Sequence, residues 1–193
     1  AALRREIRAR IAALPEEYLR ESDAGILENV LSLPEFCRAG AVFAYLSVER
    51  ECDTRRIIDA LMESERAVAL PRSRPGGSMD FALYDGRLAE GLYGIPQPPE
   101  DAPELRPGEG DLILVPALCC DAAGVRLGHG GGYYDRYLSS FSGAKIGVNF
   151  SDCVRPRLIS GRYDVPVDLL VTDRYIRRCT QQKSGSRHRR TSK

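Results

Sequence analysis

"DLILVPALCCDAAGVRLGHGGGYYDRYL", residues 111–138, decides how this chain is read. It opens on "DLILVPAL" (111–118), a continuous apolar run with the character of a strand buried on both faces of a parallel sheet. A loop over 119–132 follows, in which His129 interrupts the glycines Gly128, Gly130, Gly131 and Gly132, and a helix begins near Tyr133. In open α/β sheets ligands bind just outside the carboxyl ends of the strands, and this loop leaves the strongest strand of the chain. Glycines leave backbone N–H groups unshielded and permit positive φ, so successive amides can turn inward around an anion. The helix start adds the positive end of a dipole. Arg126 supplies a planar, permanently charged fork for phosphate oxygens, and Asp135 can hold a magnesium ion against them. A flexible turn without a ligand remains the bland alternative.

Two familiar phosphate patterns fail on spacing. No Gly-Lys pair exists for a phosphate-binding loop. The dinucleotide pattern G-x-G-x-x-G starts at Gly128 and Gly130 but meets Tyr133 where the third glycine belongs.

Outward from this stretch, helix and strand alternate. Leu3, Ile7, Ile11 and Leu14 recur at helical spacing, and Pro15 suits the first turn of a second helix carrying Leu19, Ile26, Leu27 and Val30. "AVFAYL" (41–46) reads as a strand, and "DTRRIIDALMES" (53–64) as a helix capped by Asp53 or Thr54. "AVALP" (67–71), "MDFALY" (79–84), "AKIGVNF" (144–150) and "DLLVT" (168–172) supply further strands, and the Pro- and Gly-rich 94–110 reads as a surface connection. The pattern predicts an α/β fold: a single Rossmann-like domain, a three-layer sandwich around a mostly parallel central sheet. At 193 residues the chain is long enough for one such core.

Composition bounds the rest. No apolar run approaches the roughly 20 residues of a membrane span, and "AALRREIRAR" is not a secretory signal. The six cysteines form no C-x-x-C pair and the two histidines have no metal spacing, so the cysteines read as small apolar fillers in a reducing cytoplasm. The net charge of +1 hides an asymmetry. From Arg174 onward there are eight Lys/Arg and no acid, while the first 173 residues carry a net charge of −7. Residues 1–175 are therefore expected to form the domain and 176–193 a basic, disordered tail. Such a tail is either a solvated appendage or a contact for nucleic acid, although no interleaved aromatics offer base stacking.

Residues 112–138 closely resemble the signature of the 5-formyltetrahydrofolate cyclo-ligases: an apolar strand, Val-Pro, Cys-Asp, and then Arg-Leu-Gly-x-Gly-x-Gly-Tyr-Tyr-Asp. Shorter likenesses run in order through "YLSVERECDTRRII" (45–58), "LPRSRPGGSMDFALY" (70–84), "GIPQPPE" (94–100) and "YDVPVDLLVT" (163–172). The resemblance implies an enzyme that spends ATP, with magnesium, to turn 5-formyltetrahydrofolate into 5,10-methenyltetrahydrofolate. The γ-phosphoryl group goes to the formyl oxygen, the N-10 nitrogen closes the ring, and ADP and phosphate leave. It further implies that Arg4, Arg126, Leu127, Gly128, His129, Gly130, Gly131, Gly132, Tyr133 and Tyr134 line ATP, with Arg126 and Tyr133 at the reacting groups. Leu46, Glu51 and residues 129–133 would face the folate, polyglutamylated or not, and Asp135 and Asp168 would hold the magnesium. The chain would act as a cytoplasmic monomer. It departs from the family at Gly131, where some members carry lysine, at Cys153 in place of glutamine, and at Tyr163 in place of histidine. The lysine of the N-terminal Lys-x-x-x-Arg would fall one position before Ala1. The alternative is a non-catalytic homologue that binds folate or nucleotide and touches RNA with its tail.

Overall fold

A computed structural model of the chain describes residues 2–48 and 50–179. Three helices, α1 (Ala2–Ala12), α2 (Glu16–Leu31) and α3 (Pro34–Arg38), precede the first strand, β1 (Ala41–Phe43). Pro15 sits immediately before α2 with extended backbone (φ −60°, ψ 145°), where a missing N–H costs the helix no hydrogen bond. A connection over 44–54 leads to α4 (Arg55–Glu63), then β2 (Ala67–Ser73) and β3 (Met79–Leu83). The short pair β4 (Ala89–Glu90) and β5 (Pro96–Gln97) comes before β6 (Leu112–Pro116), and the pair β7 (Cys119–Cys120) and β8 (Arg126–Leu127) after it. The described chain ends with α5 (Tyr133–Leu138), β9 (Ala144–Val148), β10 (Leu169–Val171) and β11 (Ile176–Arg178).

The central sheet has seven strands in the order β11-β10-β9-β6-β1-β2-β3. Its five inner strands are parallel and its two edges antiparallel. Counting only the parallel strands in chain order, the sheet reads 2-1-3-4-5, a doubly wound arrangement whose direction of winding switches between β1 and β6. Side chains alternate across it. Leu112 and Leu114 of β6 join Ile7, Leu19, Ile26, Val30, Ile57 and Leu61 under the α1–α4 layer. Ile113 and Val115 face the other way and join Phe43, Phe81, Leu138 and Phe141 under α5. Burial on both faces is why this strand reads as one unbroken apolar run. The fold is the layered α/β sandwich that the alternation predicts, with unequal layers: four helices on one face and a six-residue helix on the other.

Local differences have physical causes. The strand expected over 41–46 ends at Phe43, and Tyr45 and Leu46 leave the sheet at the winding switch. Of the two capping residues, Asp53 does the work: its Oδ1 accepts the Arg55 amide at 2.9 Å, while the Thr54 hydroxyl turns inward to the Tyr45 carbonyl. The 94–110 connection is docked rather than loose, because Arg72, only 4% exposed, donates to the carbonyls of Pro99, Glu100 and Ala102. Of the residues read as a tail, Ile176–Arg178 pair antiparallel with β10, and 180–193 lie outside the described residues.

Candidate active site

A cleft of about 1190 Å³ opens at the carboxyl ends of β1, β2 and β6, beside the winding switch. Its walls come from Arg4 on α1, Tyr45, Leu46 and Glu51 after β1, Pro71 and Ser73 of β2, Pro116 of β6, and all of 126–136.

The stretch read as a loop over 119–132 is built in two parts. Cys119–Cys120 and Arg126–Leu127 form a hairpin closed by Asp121, whose Oδ1 accepts the amides of Ala123 (2.9 Å) and Val125 (3.0 Å). Asp121 Oδ2 also accepts the Leu158 amide at 2.8 Å, tying the hairpin to the 155–165 rim of the cleft. Beyond the hairpin, Gly130 (φ +109°) and Gly132 (φ +69°) take backbone conformations closed to most side chains. Among the described residues, no hydrogen bond uses the amides of 128–132, and the residues that carry them line the cleft. The six residues of α5 give only a weak dipole, so the loop amides and the guanidinium groups are the stronger anion-attracting groups in the cleft.

Arg126 is the central cation. Its side chain is 4% exposed, and Nη2 donates to Asp135 Oδ1 at 2.6 Å. Its Nε is buried with no hydrogen-bond partner, so this cation beside the cleft keeps one donor uncompensated within the protein. The Tyr134 hydroxyl is likewise buried and unpartnered, and burial pushes its titration far up, so it stays a protonated donor. Arg4 Nε donates to the Gly128 carbonyl at 2.9 Å and clamps the start of the glycine run. At the far end Arg136 holds the Gly77 carbonyl (2.8 and 2.5 Å) and the Gly131 carbonyl (2.8 Å), with its guanidinium 5.5 Å from the Tyr133 ring centre.

Across the cleft, Glu51 Oε1 lies 2.9 Å from His129 Nε2, and Oε2 accepts the Val48 amide at 3.1 Å. Arg8 Nη2 lies 3.4 Å from His129 Nδ1. His129 thus stands between a guanidinium and a carboxylate.

The structure therefore brings Arg4, Leu46, Glu51, Arg126, Leu127, Gly128, His129, Gly130, Gly131, Gly132, Tyr133, Tyr134 and Asp135 to one cleft. It does not bring Asp168 there. Asp168 precedes β10 at the opposite, amino end of the parallel strands, where it takes the Lys145 amide at 2.9 Å and lies 3.6 Å from Lys145 Nζ. The magnesium role that the resemblance implies for Asp168 finds no support in that position. Arg136 and Asp121 are not legible as cleft residues in the sequence, because their partners Gly77 and Leu158 lie far along the chain; the exposed rim residues Arg157 and Ile159 carry no motif that marks them.

No cluster of three or more His, Cys, Asp or Glu that could cage a metal exists among the described residues. Magnesium carried with a nucleotide needs only one or two carboxylates plus phosphate oxygens, and Asp135 beside Arg126 fits that requirement. The cysteines are free, and burial raises the thiols of Cys119 and Cys153 to about 11 and those of Cys52 and Cys120 as well. None of these four is a thiolate at neutral pH.

Comparison with known proteins agrees with this fold. The model of the 5-formyltetrahydrofolate cyclo-ligase family matches residues 1–173. The 5-formyltetrahydrofolate cyclo-ligase of Escherichia coli K12 is 29% identical over 174 residues, covering 86% of this chain and 96% of that one. The mouse enzyme of the same name is 29% identical over 182 residues, covering 86% and 89%. The solved 5,10-methenyltetrahydrofolate synthetase of Aquifex aeolicus superposes with a TM-score of 0.80 at 32% identity, over 99% of this chain and 98% of that one. The chain belongs to the 5-formyltetrahydrofolate cyclo-ligase family.

Proposed function

We propose that this protein converts 5-formyltetrahydrofolate and ATP into 5,10-methenyltetrahydrofolate, ADP and phosphate, with magnesium accompanying the nucleotide. The observation that carries the reading is one cleft holding two unlike halves: free amides and the orphaned Arg126 donor on one side, the Glu51 carboxylate on the other.

The chemistry needs both halves. A formamide carbon is a poor electrophile and its oxygen a poor leaving group. Transfer of the γ-phosphoryl group to the formyl oxygen turns that oxygen into a leaving phosphate. The N-10 lone pair then attacks the formyl carbon, the C–O bond breaks, phosphate departs and N-10 loses its proton. Such transfer depends on positioning and charge neutralisation rather than on a protein nucleophile. The amides of 128–132, Arg4 and Arg126 would hold the phosphates. Glu51 would accept paired hydrogen bonds from the amino-pyrimidine edge of the pterin, with Leu46 as its apolar wall. Tyr133 and His129, which also line the cleft, would stand where formyl oxygen and γ-phosphate meet. Asp135 would hold the magnesium, which when bound shields phosphate charge. Its Oδ1 is fixed by Arg126 and by the Val165 amide (3.2 Å).

The test is the absorbance of methenyltetrahydrofolate formed from 5-formyltetrahydrofolate, with ATP and magnesium together and with each left out. Product should form only in the complete mixture. No product there, or equal product without ATP, would contradict the reading.

A further inference from the structure

Glu51 is carried by the 44–54 connection, and polar contacts set the shape of that connection. At its base, Thr54 Oγ1 donates to the Tyr45 carbonyl and accepts the Ser47 amide at 3.2 Å. Asp53 Oδ1 caps α4 through the Arg55 amide and lies 3.3 Å from Ser47 Oγ. At its crest, Arg50 reaches the carbonyls of Ile11 (3.1 Å) and Leu14 and the carboxylate of Glu16, at the corner between α1 and α2. A further anchor comes from α2, where Asp23 Oδ1 accepts the Asp53 amide at 2.9 Å. That amide is two residues from Glu51, and Asp23 does not line the cleft.

We propose that Asp23 is a positioning residue for Glu51: by holding the Asp53 amide from α2 it fixes the connection so that the Glu51 carboxylate faces the folate half of the cleft. The proposal rests on the functional reading above. It deepens it by giving folate binding, and not nucleotide binding, a dependence on a residue that touches neither.

The surroundings of Asp23 make this anchor sensitive to pH. Burial raises its pKa to about 6; the Asp53 amide opposes the rise, the Asp53 carboxylate adds to it, and Arg56 of α4 opposes it. Cys52 on the connection and Tyr45 after β1 also face it, and burial keeps both neutral. An ionised carboxylate accepts the Asp53 amide more strongly than a neutral carboxyl does. The hold on the connection is therefore full above the shifted pKa and weakens as pH falls through it.

Steady-state KM for 5-formyltetrahydrofolate and for ATP, measured separately between about pH 5 and 8, separates this role from a merely structural one. Asp23→Ala should raise the folate KM about tenfold, the loss of one hydrogen bond to a charged group, and leave kcat and the ATP KM within about twofold. Asp23→Asn keeps an acceptor for the Asp53 amide but cannot ionise. It should show a smaller rise and lack the inflection near pH 6 that is expected in the wild-type folate KM. An unchanged folate KM in Asp23→Ala, a matching rise in the ATP KM, or a surviving inflection in Asp23→Asn would each overturn the proposal. A wild-type protein that fails to turn over 5-formyltetrahydrofolate would instead sink the functional reading, and the positioning role with it.

Discussion

Asp135 and Asp168 are the same residue type at opposite ends of one sheet. Asp135 stands in the first turn of α5 at the carboxyl end, against Arg126 and in the wall of the cleft. Asp168 stands before β10 at the amino end, where it takes the Lys145 amide and stitches β10 to β9. Resemblance along the chain implies a metal role for both. The register of the strands separates them, because Val171 and not Asp168 is level with Pro116 at the cleft. Motif likeness locates a segment; only the pairing of strands says which end of the sheet its carboxylate occupies.

The comparison would break most visibly at Arg126. Arg126→Gln removes the buried charge between loop and Asp135, and turnover should fall by about a hundredfold to a thousandfold, the range for a lost donor to developing charge. Turnover within about threefold of wild type would move the phosphate site elsewhere in the cleft. A smaller effect is expected at Glu51. Glu51→Gln should weaken binding of 5-formyltetrahydrofolate by about 1.5–3 kcal/mol and leave ATP affinity unchanged, which calorimetry resolves. If ATP affinity drops and folate affinity holds, the two halves of the cleft have been assigned the wrong way round.

Much of the fold is legible along the chain. "LILVP" is unmistakable because Leu112, Ile113, Leu114 and Val115 are all buried, and the glycine run marks the strand end where ligands bind. The hairpin inside the presumed loop is not legible, since strands of two residues, Cys119–Cys120 and Arg126–Leu127, are too short to show alternation. Arg136 looks like an ordinary solvated helix residue until its guanidinium is seen on the Gly77 carbonyl, 59 positions away. Asp23 is hidden for the same reason: a polar residue on an amphipathic helix reads as surface, and its partner amide lies 30 positions on. The motif residues are close together in sequence and so legible as a group; the residues that hold them in place make their contacts across the fold.

On the proposed function, charge is neutralised at the carboxyl end of the sheet, with Asp135 taking part and Asp168 not. The most direct test is turnover of Asp135→Asn and Asp168→Asn, assayed side by side at saturating folate, ATP and magnesium. Asp135→Asn should lose about a hundredfold or more, because metal and positioning contributions are each worth a few kcal/mol. Asp168→Asn should stay within about threefold, since loss of a hydrogen bond at the sheet's other end affects stability by only about 1 kcal/mol. Equal losses in the two variants, or a larger loss in Asp168→Asn, would contradict the account.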